Sequence, residues 1–168
     1  KIGLDADLNI IAYEATFFQN GGAAADLSPA ILERTLFHAA NSYAIPHVHV
    51  TAHSCKTNLP PNTAFRGFGG PQGKFVIEAA IDCAAKNLGV AAAVIQRKNL
   101  LADGYEFHYG QIAAGSEAQN CWTKLEQKRP FETVLAEIEA FNATHPRQKK
   151  GAAWMPICFG ISFTNTMM

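Results

Sequence analysis

Two runs rich in Ile, Tyr, Phe and Thr, Lys1 to Asp5 and Ile10 to Phe18, flank the polar segment Ala6-Asp7-Leu8-Asn9. That pattern predicts a β-hairpin closed by a turn, ended by Asn20-Gly21-Gly22. Ser28 followed by Pro29 is the N-cap and first-turn pair of a helix. Ile31, Leu32, Leu36, Ala39 and Tyr43 then recur at helical spacing, which carries the helix from Pro29 to about Tyr43. Pro46 cannot continue it, and His47 to Cys55 alternates as a strand does. Phe75, Val76, Ala79, Ala80, Cys83, Ala84 and Leu88 mark the apolar face of a further helix stopped by Gly89, with a shorter one over Val90 to Leu100. Leu101 to Glu117 is glycine-spotted and irregular, Phe131 to Phe141 is helical with Glu137 and Glu139 solvated, and Pro146 ends that helix. Lys149-Lys150 followed by Gly151 to Thr164 reads as basic surface turning into buried strand. The fold class expected is α+β, with strands and helices in mixed order.

Composition narrows the function. The 168 residues suffice for one domain with a real core, and 48% hydrophobic with 17% charged residues is ordinary for a globular protein. The formal net charge is zero, from 14 basic and 14 acidic residues, so nucleic acid and anionic membranes are not expected partners. No apolar run approaches the roughly 20 residues that span a bilayer, and the N-terminus lacks a signal-peptide plan, so a cytoplasmic location is expected. Cys55, Cys83, Cys121 and Cys158 form no Cys-x-x-Cys pair and are expected as buried free thiols. His47, His49, His53 and Cys55 share one strand face, but His49 and His53 stand about 13 Å apart at ~3.3 Å per residue, too far for one ion. No metal ligand is assigned. The start at Lys1 and the unterminated apolar run to Met168 suggest that residues 1–168 are a single domain excerpted from a larger polypeptide.

Candidate chemistry concentrates in Asn62-Thr63-Ala64-Phe65-Arg66-Gly67-Phe68-Gly69-Gly70-Pro71-Gln72-Gly73. Four glycines within seven residues permit close approaches that a Cβ would forbid, and the loop opens onto a helix N-terminus with free N–H donors. A P-loop fails because Phe68 stands where Gly73-Lys74 requires glycine and Phe75 where Ser or Thr is required; a dinucleotide fingerprint from Gly67 fails at Gln72. Arg66 and Phe68 alternate about Gly67 and should project differently. Leu27, Ala30 and Arg34 share a stripe of the first helix. A cation there needs a partner, which the adjacent Glu33 does not supply.

Cys55-Lys56-Thr57-Asn58-Leu59-Pro60 running into Thr63 to Gly73 resembles the molybdenum-cofactor-binding part of the xanthine dehydrogenase and aldehyde oxidase family. Leu32-Glu33-Arg34-Thr35-Leu36-Phe37-His38, Arg97-Lys98-Asn99 and Phe159-Gly160-Ile161-Ser162-Phe163-Thr164 support the resemblance in order and rough spacing. It implies a molybdenum hydroxylase that converts xanthine or hypoxanthine to urate with water as oxygen source. It assigns Arg34 to the purine pocket, where it stabilises developing negative charge, Phe68 and Phe163 to the substrate ring, Thr164 to a polar position, Leu27 and Ala30 to the apolar wall, and Arg66 to the molybdenum-molybdopterin cofactor. FAD, the 2Fe–2S clusters and the catalytic Glu would belong to other parts of the parent, and NAD would be the final acceptor. Within the family an aldehyde or other N-heterocycle oxidase is the alternative, and outside it a non-catalytic module that keeps the fold.

Overall fold

The computed structural model describes residues 1–160. Its elements are β1 (Ile2–Leu4), β2 (Ile10–Gly22), α1 (Ser28–Phe37), β3 (His47–Lys56), α2 (Gly70–Leu88), α3 (Ala92–Lys98), α4 (Ala118–Lys128) and α5 (Phe131–Thr144). The sheet order is β1-β2-β3, with β1 antiparallel and β3 parallel to β2. The expected hairpin and α+β class are both present. Parallel pairing requires a crossover, and α1 supplies it between β2 and β3. Ile10, Tyr13, Tyr43, Ile45, Ile77 and Ile81 form the centre of the core, each no more than 2% exposed.

Buried Asn99, part of the Arg97-Lys98-Asn99 block, holds the hairpin turn to α3. Its Oδ1 accepts from Ile10 N at 2.8 Å while its Nδ2 donates to Leu8 O and Ile95 O. Each bond satisfies a main-chain group that burial would otherwise strand.

Four sequence expectations need correction. First, α1 stops at Phe37, six residues before Tyr43. His38 caps it and Asn41 adopts φ +50°, yet Ala39, Ala40 and Tyr43 are buried as their spacing implied. The periodicity reported burial and not backbone conformation.

Second, α2 begins inside the glycine-rich segment, and its buried row is Gly70, Gly73, Lys74, Ile77, Ile81 and Ala85. Phe75 is 72% exposed and Leu88 53%, so the apolar face assigned from the sequence points outward. Third, none of the four free thiols is fully buried: Cys83 and Cys121 are exposed, and Cys55 and Cys158 are half-buried.

Fourth, residues 151–160 form no strand. They are nonetheless fixed, by side chains standing in for a neighbouring strand. Gln96 Nε2 donates to Trp154 O, Asn41 Nδ2 donates to Pro156 O, and Asn41 Oδ1 accepts from Cys158 N. His38 Nε2 accepts from Gly160 N, and Arg34 Nη1 donates to Gly160 O. Glu78 Oε1 accepts from both Asn41 Nδ2 and Tyr43 OH, and Glu78 Oε2 accepts from Gln96 Nε2. One half-buried carboxylate thereby orients both amides that grip the segment.

Candidate functional site

The glycine-rich segment packs α2 against α1. Gly69 has φ +96°, and a Cβ there would come within 2.1 Å of Ile31 O. Gly73 faces Thr35 O in the same way, at 2.6 Å. Two helix backbones approach this closely only where side chains are absent. Thr35 Oγ1 lies 3.0 Å from Gly69 O and 3.1 Å from Ile31 O, tying the N-cap of α2 to α1. The turn before it is tight: Phe68 N donates to Phe65 O and Gly70 N to Gly67 O, and Phe68 takes φ +50°. A non-glycine residue held in the left-handed region is strained, and such residues cluster at binding sites.

That turn aims Phe68 at Arg34. The Arg34 guanidinium is 4% exposed, with Cζ 5.8 Å from the Phe68 ring centroid and 5.1 Å from that of Phe159. Its Nη1 donates to Gly160 O at 2.7 Å. His38, one turn further along, has a fixed tautomer: Nε2 accepts from Gly160 N, so Nδ1 carries the proton and donates to Arg34 O at 2.8 Å. Burial, aided by the nearby Lys74 and Arg34 charges, holds the His38 pKa below its ordinary value and keeps the ring neutral as that acceptor role demands. Lys74, 3% exposed, places Nζ 4.5 Å from the Phe159 centroid. Burial lowers its pKa and raises that of the Cys158 thiol nearby.

Arg34 and Phe68 thus come together. Leu27, at the N-cap of α1, and Ala30 are both half-buried. Arg66 is exposed and Phe68 half-buried. Phe163 and Thr164 lie outside the described residues. Sequence reasoning missed His38, Lys74 and Phe159 as members of this cluster. For Lys74 a signal existed: it sits three residues before Ile77 and seven before Ile81, on the buried stripe of α2.

On the other side of the loop, a cleft of about 510 Å³ is lined by Phe17, Ile31, Thr35, Asn62, Phe65 and Gln72, among others. It combines an aromatic ring with amide and hydroxyl groups that can both donate and accept hydrogen bonds.

Residues 1–100 match the molybdopterin cofactor-binding domain family, and the chain belongs to it. Its similarity to the xanthine dehydrogenases extends beyond those residues. It is 40% identical over 164 residues to the xanthine dehydrogenase/oxidase of Mus musculus, covering 98% of this chain and 12% of that protein. It is 38% identical over 168 residues to xanthine dehydrogenase 1 of Arabidopsis thaliana, covering 100% of this chain and 12% of the plant protein. The chain therefore spans about an eighth of the length of these relatives. In fold it is similar to the aldehyde oxidoreductase of Desulfovibrio gigas, with a TM-score of 0.71 and 22% identity over 83% of this chain and 15% of that one. Quinoline 2-oxidoreductase of Pseudomonas putida 86 shares the fold at a TM-score of 0.69 and 22% identity, covering 84% of this chain and 19% of the other. The resemblance drawn from the glycine-rich segment is borne out.

The cleft fits part of such a cofactor. A pterin is a flat heterocycle with donors and acceptors along its edge, matched by the Phe65 ring and the Asn62 and Gln72 amides. Arg66 projects from the same exposed loop.

Proposed function

We propose that this chain is one domain within the molybdopterin-binding subunit of a cytoplasmic molybdenum hydroxylase that oxidises xanthine and hypoxanthine to urate. Water supplies the oxygen, and electrons leave through 2Fe–2S clusters and FAD on other domains or subunits to NAD. The observation that carries this reading is Arg34, a buried guanidinium set between the Phe68 and Phe159 rings. A planar cation beside aromatic surfaces suits a flat ring with an exocyclic oxygen.

In this reading Arg34 donates to that oxygen as negative charge collects on it, which stabilises the transition state more than the ground state. By the family resemblance Phe68 and Phe163 bind the substrate ring, Leu27 and Ala30 belong to the apolar wall, and Thr164 is a polar pocket residue. Arg66 and the surrounding loop backbone would hold the cofactor. Molybdopterin, when bound, supplies the redox chemistry that no side chain here can perform. A carboxylate base from elsewhere in the parent completes the site.

The test is to purify the full-length parent and the 168-residue chain, and to measure molybdenum content and urate formed from xanthine with NAD. Metal and turnover are expected in the parent, and neither in the isolated chain. A parent that holds molybdenum but leaves xanthine untouched overturns the substrate assignment. Turnover by the isolated chain overturns the division of the site.

A further inference from the structure

Residues 154–160 form no strand, and two side-chain amides fix their register instead. Each amide has both hydrogens committed. Asn41 Nδ2 donates to Pro156 O at 2.7 Å and to Glu78 Oε1 at 2.8 Å, and Gln96 Nε2 donates to Trp154 O and to Glu78 Oε2, each at 2.7 Å. Asn41 Oδ1 is left to accept from Cys158 N. Either amide turned over would set its oxygen against a carbonyl of the segment, and Asn41 would also set its NH2 against an N–H. Which way round they stand therefore decides whether the segment is held or repelled.

Glu78 makes that choice. An ionised carboxylate only accepts, so its two oxygens take one amide hydrogen each from Asn41 and Gln96 and the hydroxyl hydrogen of Tyr43, and each amide points its other hydrogen at the segment. Burial raises the Glu78 pKa, and the hydrogen bonds from Tyr43, Gln96 and Asn41 act the other way. A neutral amide of the same shape presents one oxygen and one NH2, and that NH2 must face either Gln96 or the Asn41 and Tyr43 pair, donor against donor. Asn41 relieves the mismatch by turning over, which gives up both Pro156 O and Cys158 N.

The segment so held ends at the pocket. Gly160 O accepts from Arg34 Nη1, Gly160 N donates to His38 Nε2, and the Phe159 ring centroid lies 5.1 Å from Arg34 Cζ. Phe163 and Thr164, assigned above to the substrate, follow three and four residues after Gly160 in the sequence. We propose that Glu78 is a positioning residue: through the Asn41 amide it sets the register of residues 154–160, and with it the substrate wall, without itself touching substrate or cofactor. The proposal rests on the pocket assignment above and not on xanthine as the substrate.

The test uses the full-length parent as wild type, Glu78→Gln, Asn41→Gly and the double variant. Glycine suits the φ of +50° at position 41, so it removes the amide without straining the backbone. Hydrogen exchange, read with no substrate present, should be about tenfold or more faster at the Cys158 amide in all three variants and within about threefold of wild type in β2 and β3. Molybdenum content should stay near that of wild type. KM for xanthine should rise about fivefold or more with kcat within about twofold, since Arg34 stays on α1 and the wall binds ground and transition states alike. Because Glu78 acts through Asn41, the double variant should match Asn41→Gly and not multiply the two effects. Multiplied effects, unchanged Cys158 exchange in Glu78→Gln, or an unchanged KM in Asn41→Gly overturns the proposal. So does exchange that rises throughout α2 and the sheet while molybdenum and kcat fall together, because Glu78 would then serve general stability. The Asn41→Gly result decides the matter even where Glu78→Gln does not fold. A parent that oxidises benzaldehyde but not xanthine fails the purine reading alone, and the same split is then read with benzaldehyde.

Discussion

Replacing Arg34 by methionine separates a role in turnover from a role in holding the fold. The side chain is 4% exposed, donates to Gly160 O at 2.7 Å and faces two aromatic rings. Loss of the charge-assisted hydrogen bond costs roughly 1.5–3 kcal/mol of stability, and loss of the ring contacts roughly 0.5–2 kcal/mol. Methionine keeps much of the stem's volume, which limits the cavity. The rate effect is of a different kind. Removing a charged donor from the place where negative charge develops costs on the order of 3 kcal/mol, about a hundredfold in kcat/KM. An aromatic aldehyde has no remote oxygen to receive that charge, so its oxidation should fall far less. The assay is kcat/KM for xanthine divided by that for the aldehyde, in wild type and Arg34→Met of the full-length parent, with molybdenum content matched. Damage to folding scales both substrates alike and cancels in the ratio. A ratio that does not move would make Arg34 a structural clasp on Gly160 and nothing more.

Phe68→Ala should lower purine turnover with molybdenum content near normal; loss of metal would reassign the ring to the cofactor side. Phe68 is half-buried, so its stability cost should fall below the ~3–5 kcal/mol of a fully buried phenylalanine. Gly69→Ala combines φ +96° with a Cβ 2.1 Å from Ile31 O, and should cost at least about 2 kcal/mol, read as a lowered midpoint in chemical denaturation. An unchanged midpoint would mean that α1 and α2 do not approach as described. His38 gives a pH dependence. Burial lowers its pKa from 6.5, so its contribution to stability is present above the unfolded pKa and is lost as pH falls through the folded one. His108 shifts in the same direction, also through burial, so the comparison is between wild type and His38→Gln. The variant should lose stability less steeply on acidification, and parallel slopes would rule His38 out as the group responsible.

How far the sequence revealed this depends on what each signal measures. Alternation over His47 to Cys55 marked β3 correctly, and Gly89 ended α2 where the left-handed C-cap falls. Apolar spacing failed on the face of α2, where two glycines and a lysine occupy the buried row while Phe75 and Val76 sit on the exposed side. Periodicity counts apolar side chains and is blind to glycine buried for backbone approach. Helix α4 escaped notice because its sequence, AQNCWTKLEQK, offers few apolar residues to recur at helical spacing. Parallel pairing of β2 with β3 depends on the crossover and left no local trace. At the site, the glycine-rich segment and Arg34 were legible because their residue types are unusual for their positions. His38 and Phe159 were not, because the contacts that draw them in join distant parts of the chain, Gly160 N to His38 Nε2 and the Phe159 ring to Arg34.

The grip on residues 154–160 has an evolutionary consequence. Its hydrogen bonds fall on Trp154, Pro156, Cys158 and Gly160, and each goes to a peptide group of the segment. Every amino acid offers a carbonyl, and every one but proline offers an N–H, so mutation can rewrite Met155 and Ile157 while the clasp stays shut. Natural variation can then redraw this wall one side chain at a time and test new ligands, with the inherited scaffold left undisturbed.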